Sequence, residues 1–149
     1  MRRMRMKYLR YPLVALLTFI AGVVLSPIRF YVQGMGCGRV IDGGGPFSLT
    51  SYRSSYFVDI LFAHSVYGST EKANEVFDQG LREAARVVSV TSKLNKDGMP
   101  VGRRAEVVLF VPEVDKYYVN VFWTDGRFVH SIYSPSRLHV LQFEKANAR

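Results

Sequence analysis

The chain has 149 residues, 48% of them hydrophobic and 21% charged, and a formal net charge of +8. This length suits one domain with a single core. Five units of the net charge fall in residues 1–10, and residues 43–149 carry only two. Because the folded part lacks a basic stripe, the charge excludes nucleic acid as a partner. The single cysteine, Cys37, excludes an intramolecular disulfide.

An uncharged apolar run occupies residues 11–28. Five basic residues precede it: Arg2, Arg3, Arg5, Lys7 and Arg10. About 18 to 20 apolar residues form a helix as long as the hydrocarbon core is thick, and the basic flank predicts a cytoplasmic N-terminus. The sequence therefore predicts a basic cytoplasmic tail at residues 1–10 and a transmembrane signal-anchor at residues 11–28. The remaining chain is predicted to be extracytoplasmic, at the cell envelope.

Two alternatives to the anchor stay open: a cleavable signal peptide, which has the same basic and apolar regions, and a buried helix of a soluble protein. Thr18, Gly22 and Ser26 recur every four residues along one face of the run. Small residues at this spacing allow two membrane helices to approach closely. The predicted partners are therefore the lipid bilayer, a second copy of this helix through these three residues, and a protein partner at the membrane.

Glycine is concentrated directly after the apolar run. The six glycines between this run and Pro46 are Gly34, Gly36, Gly38, Gly43, Gly44 and Gly45. Such a segment buries too little apolar surface to order itself, so residues 29–46 are predicted to form a flexible tether. Residues 47–149 are then predicted to form one exported domain.

The clearest element of this domain is an amphipathic helix. Ser69 or Thr70 suits the N-cap position, and Glu71 falls in the first turn. Apolar residues follow at helical spacing from Ala73 to Val88. The pattern predicts a long helix that buries one face against a sheet.

Runs rich in β-branched and aromatic residues predict the strands of this sheet. These runs cover residues 56–67, 86–94, 103–111, 117–124 and 127–134, with a further short strand near residues 47–52. Asp125 and Gly126, between the last two runs, predict a type I′ hairpin. A short helix is predicted after Pro135. The predicted fold is α+β: one long helix on a four- to five-stranded, mainly antiparallel sheet, and a short C-terminal helix.

Chemical motifs are scarce. No short spacing links His64, His130 and His139 in the manner of metal ligands or of a base and its partner. The glycine-rich segment lacks the pattern of a phosphate-binding loop, and no serine lies in a nucleophile elbow. The sequence therefore predicts no catalytic residue, no metal and no cofactor.

Aromatic residues of the late strands are the best candidates for contact with a partner. The predicted partner-binding face contains Tyr118, Phe122, Trp123, Arg127 and His130. The leading hypothesis is a single-pass membrane-anchored protein with a non-catalytic interaction or assembly domain. The alternative is an envelope small-ligand-binding protein or enzyme with a pocket between helix and sheet, around His64 or His130.

Overall fold

The computed structural model describes residues 28–39 and 44–147, and this part of the chain forms seven strands and two α-helices. In chain order these are β1 (Phe30–Arg39), β2 (Gly44–Ser54), β3 (Asp59–Tyr67), α1 (Thr70–Glu83), β4 (Arg86–Leu94), β5 (Pro100–Val111), β6 (Lys116–Asp125), β7 (Phe128–Ser134) and α2 (Arg137–Asn147). A 3-10 helix (Pro112–Val114) connects β5 to β6.

All seven strands belong to one antiparallel sheet with the order β1-β2-β3-β7-β6-β5-β4. The last four strands form a meander in which each strand pairs with the next along the chain. The last strand of this meander, β7, pairs with β3. The segment that contains α1 therefore connects β3, near the middle of the sheet, to β4 at one edge.

Successive residues of a strand point to opposite sides, so the sheet has two faces. The two helices cover opposite faces. On one face, called the α1 face, Phe77 of α1 clusters with Ala105 and Phe122. On the other, called the α2 face, Phe143 of α2 clusters with Val121 and other buried residues. The sheet is thus the middle of three layers.

The predicted helix after Ser69 is confirmed. Ser69 is the N-cap, and its hydroxyl oxygen accepts a hydrogen bond from the Lys72 backbone N–H at 3.1 Å. The helix ends at Glu83, earlier than the apolar stripe that continues to Val88, because the chain enters β4 at Arg86.

The predicted hairpin between β6 and β7 is also confirmed, but its turn type differs. Asp125 pairs with Phe128, so the two turn residues are Gly126 and Arg127. Gly126 has a φ of +56°, and Arg127 is not among the residues with positive φ. A glycine with positive φ at the first turn position defines a type II′ turn, whereas the predicted type I′ turn needs two such residues.

The predicted fold class is wrong in its strand count and its balance of elements, since the described domain is mostly sheet. The prediction missed β1, and β2 is longer than the short strand predicted near residues 47–52; the two strands pair from Phe30 opposite Ser54 to Arg39 opposite Pro46. A tether was predicted at residues 29–46 because a glycine-rich segment buries little apolar surface and glycine weakens a strand. Long-range pairing overrides this local preference, and Gly45 even assists it, since a Cβ there would lie 3.2 Å from the Val66 carbonyl oxygen. The domain boundaries themselves stay a prediction.

The single-pass membrane topology, with its extracytoplasmic domain, is corrected for the part of the chain that the structure describes. None of the helices in residues 28–39 and 44–147 is long and apolar enough to cross a membrane. The α-helices there have 14 and 11 residues, whereas a span requires about 20. Ile28, the last residue of the predicted signal-anchor, is not helical. The rest of the anchor, the basic tail, and Thr18, Gly22 and Ser26 lie outside the described residues.

Candidate functional site

A cavity of about 530 Å³, called the α1 cavity, lies between α1 and the sheet. Its sheet side is lined by Tyr67, Asn120, Phe122, Val129, Ser131 and Tyr133. Its helix side is lined by Lys72, Val76, Gln79, Gly80 and Glu83. Sites for small molecules usually enclose about 300 to 1,000 Å³, and they combine apolar walls with a few polar groups. The α1 cavity meets both criteria.

Strand register explains why these polar groups converge. Asn120 and Phe122 alternate along β6 and point to the α1 face, and they pair across the ladder with Tyr133 and Ser131 of β7. Gly80 of α1 lies above Phe122, where a Cβ would come within 3.1 Å of the ring. The missing side chain thus lets α1 approach the sheet closely and form the roof of the cavity.

Asn120 is the most informative residue of this cavity. It is 5% exposed, and its side-chain oxygen Oδ1 is buried with no hydrogen-bond partner among the described residues. Burial of an acceptor without a partner costs about 1–3 kcal/mol, and such groups are rare in folded domains. Oδ1 has almost no accessible surface, so a ligand with an N–H or O–H group would supply the missing donor after the amide turns toward the cavity.

The remaining polar groups of the cavity suit hydrogen bonding more than acid–base chemistry. Burial raises the pKa of the Tyr67 phenol, so at neutral pH its hydroxyl both donates and accepts. Ser131 adds a second hydroxyl to the lining. Among the residues that the structure describes, the lining contains no histidine or cysteine and one carboxylate, that of Glu83, whose Oε1 accepts a hydrogen bond from Gln79 at 2.7 Å. The site therefore offers recognition without a paired nucleophile and base.

A second cluster, called the histidine pair, lies on the α2 face. His64 of β3 lies directly opposite His130 of β7, and their Nδ1 atoms are 3.1 Å apart. The His130 ring stacks on Trp123 within 8° of parallel at a centroid distance of 4.9 Å. Phe62 stacks against the same imidazole at 6.2 Å. No short spacing indicated this pair from the sequence, because 66 residues separate its members.

The surroundings keep His130 neutral. Burial, with the neighbouring His64, lowers the pKa of His130 to about 4; Asp125 opposes this change and Lys93 adds to it. The 3.1 Å separation is a hydrogen-bond distance, so one ring donates its Nδ1–H to the Nδ1 of the other. The Nζ atom of Lys93 lies 4.8 Å from the Trp123 ring centroid and makes a cation–π contact with this ring.

Acidification is expected to destabilise the domain through His130. The pKa of a histidine is about 6.5 in an unfolded chain but about 4 for His130 in the folded domain. Between these values the unfolded state binds more protons, so the free energy of unfolding falls as the pH falls. We expect the free energy of unfolding to fall by about 1–2 kcal/mol between about pH 6.5 and pH 4. This value is smaller than the full pKa shift would give, because solvent partly screens the charge on this ring.

Guanidinium unfolding of the wild type and of His130→Phe near pH 7 and near pH 4.5 measures this loss. The phenylalanine keeps the stack on Trp123 and removes the titrating nitrogen atoms. The variant should therefore lose less stability than the wild type on acidification. Equal losses in the two proteins would assign the pH dependence to other groups.

The residues predicted for a partner-binding face occupy three places. Trp123 and His130 lie on the α2 face, Tyr118 and Phe122 point to the α1 face, and Arg127 belongs to the turn between β6 and β7. Phe122 is 3% and Trp123 6% exposed, so both are used inside the domain. A role for this set in binding a partner stays a prediction.

Comparisons with known proteins do not identify a family. Protein-family models, curated proteins and solved structures all lack a match to this chain. No group of three or more histidine, cysteine, aspartate or glutamate side chains in residues 28–39 and 44–147 could hold a metal ion. The described residues thus form a mostly sheet domain in which α1 covers a cavity of about 530 Å³.

Proposed function

We propose that the domain is a non-catalytic binding protein that holds a small polar molecule in the α1 cavity. The observation that carries the proposal is the buried, unpartnered Oδ1 of Asn120 in the cavity lining. Without a ligand, the unpartnered oxygen destabilises the folded domain. A ligand that donates a hydrogen bond to it would therefore increase the stability of the domain.

The lining indicates the chemistry of this molecule. An N–H or O–H group would donate to Asn120 Oδ1, and the hydroxyls of Tyr67 and Ser131 would pair with further polar atoms. Phe122 and Val129 supply apolar surface for a ring or a short carbon chain. Lys72 and Glu83 contribute one charge of each sign, so the lining does not favour a net charge on the ligand. A neutral amide, sugar or nucleoside of modest size fits these conditions.

This proposal develops the alternative of a pocket between helix and sheet, with different residues. The sequence suggested a pocket around His64 or His130. These residues point to the α2 face, away from the α1 cavity, and a separate cavity of about 640 Å³ is lined there by His130 and Trp123. The interaction or assembly role remains a second proposal, for which the α1 cavity supplies no direct support.

Asn120→Leu tests the central observation without knowledge of the ligand. Leucine has the same branched heavy-atom skeleton and no polar atom, so the variant removes the cost of the unpartnered oxygen. In ligand-free buffer we expect Asn120→Leu to be about 1–2 kcal/mol more stable than the wild type in guanidinium unfolding.

Ser134→Ala is the matched control. Ser134 is fully buried, and its hydroxyl donates to the Asp59 carbonyl oxygen at 2.9 Å. Its loss should destabilise the domain by about 1–2 kcal/mol. If Asn120→Leu is destabilised to a similar extent, the amide oxygen has a partner in solution and the proposal fails.

A thermal-shift screen then identifies the ligand class. Amides, sugars and nucleosides are added to the wild type and to Asn120→Leu. Compounds that occupy the α1 cavity should raise the melting temperature of the wild type and lose most of this effect in the variant. Compounds that stabilise both proteins equally would bind elsewhere.

A further inference from the structure

The histidine pair has the spacing of two ligands on one metal ion. Metal–nitrogen bonds to imidazole are about 2.0–2.1 Å long, so two such nitrogen atoms lie about 2.9 Å apart at a right angle and about 3.3 Å apart at the tetrahedral angle. The Nδ1 atoms of His64 and His130 are 3.1 Å apart. We propose that these two residues bind a divalent transition-metal ion, Cu²⁺ or Zn²⁺, on the α2 face.

The donor chemistry agrees with this geometry. Imidazole binds metal ions in its neutral form, and both Cu²⁺ and Zn²⁺ accept it readily. The ring that donates Nδ1–H to its neighbour would shift this proton to Nε2, so that both Nδ1 atoms face the ion. This change of tautomer releases no proton, and each ring keeps one N–H.

The aromatic neighbours hold the ligands in position. Trp123 and Phe62 both stack nearly parallel to the His130 ring. The His64 ring contacts Phe128 at a centroid distance of 5.2 Å. Because packing fixes the direction of each ring, the pair loses little freedom when an ion binds.

The site is an open one. The described residues supply two ligands, and no third histidine, cysteine or carboxylate lies close enough to bind the same ion. Water would therefore fill the remaining coordination positions. Open positions are typical of metal sites that exchange ligands, whereas closed structural sites use four protein ligands. The ion would therefore sit where a further molecule can reach it, separately from the α1 cavity.

The fluorescence of Trp123 reports directly on this site, because it is the only tryptophan of the chain and stacks on His130. Titration of the full-length protein with Cu²⁺ should quench this fluorescence in a saturable manner. Zn²⁺, which does not quench by itself, should compete and restore the signal.

Two variants and a control locate the ion. His64→Phe and His130→Phe keep the aromatic packing but remove a ligand nitrogen, and each should raise the Kd for Cu²⁺ about tenfold or more. In the control His139→Asn, the side chain can still pair with Ser136, the partner of His139 Nδ1 at 2.8 Å. The control should bind Cu²⁺ with the wild-type Kd.

Several results would overturn the proposal. Quenching that increases linearly without saturation would show collisional contact only. An unchanged Kd in His64→Phe and His130→Phe, or binding detected by calorimetry without quenching, would place the ion elsewhere on the chain. Circular dichroism of each variant confirms that the fold is retained, and one folded variant of the pair is sufficient for the test.

Discussion

Gly102→Ala is expected to destabilise the domain by about 3 kcal/mol. A Cβ at this position would lie 1.9 Å from the Thr124 carbonyl oxygen, and real Cβ contacts essentially never fall below 3.0 Å. The obstacle is backbone and cannot move aside as a side chain would. β5 and β6 must therefore separate locally, which also breaks the 3.0 Å hydrogen bond from Arg103 N–H to Thr124 Oγ1. Guanidinium unfolding measures the loss.

Gly36→Ala provides the control, since Gly36 is also a strand glycine. The nearest atom to a Cβ there is the Leu49 carbonyl oxygen at 4.0 Å, an ordinary contact. We expect a change within about 0.5 kcal/mol. Equal unfolding midpoints for the two variants would contradict the close approach of β5 and β6 at Gly102.

Elements with local signals were predictable from sequence. The Ser69 cap specifies the start of α1 through one hydrogen bond to Lys72, three residues away. Gly126 specifies the β6–β7 hairpin because its positive φ suits a two-residue turn. Each signal lies within a few residues of the structure that it determines, so composition and spacing were sufficient.

Elements that depend on distant pairing were not predictable from local composition. β1 and the first residues of β2 are ordered by the ladder of these strands with each other and with β3, which compensates for the weak strand preference of glycine. The sheet therefore has more strands than the local patterns indicated. The membrane prediction rested on hydropathy in residues 11–28, of which the structure describes Ile28 alone.

The candidate sites illustrate the same limit. Alternation along β6 places Asn120 on the same face as Phe122, and this much could be read from the sequence. The sequence does not show that Asn120 Oδ1 lacks a hydrogen-bond partner, because this depends on how α1 crosses the sheet. Likewise, His64 and His130 meet only because β3 pairs with β7 in one register. A shift by one residue would send the two rings to opposite faces.

Arg104→Met is expected to cost about 3 kcal/mol by loosening α2 from the sheet. The Nε and Nη2 atoms of Arg104 donate to the two carboxylate oxygens of Glu144 in α2, both at 2.6 Å. The side chains of Arg104 and Glu144 are 18% and 13% exposed, so the variant leaves a poorly solvated carboxylate without its partner. Urea unfolding measures the loss.

The double variant Arg104→Met/Glu144→Leu separates the cost of the abandoned charge from the value of the pair itself. Replacement of a buried ion pair by apolar residues is often nearly neutral, so the double variant should recover most of the lost stability. Arg53→Ala, which breaks the exposed pair with Asp59, should change stability by less than about 1 kcal/mol. If the double variant is instead as unstable as Arg104→Met alone, the ion pair is the main attachment of α2. Disruption of the pair would then also disturb the packing of Phe143 against Phe62, the aromatic residue that orients His130.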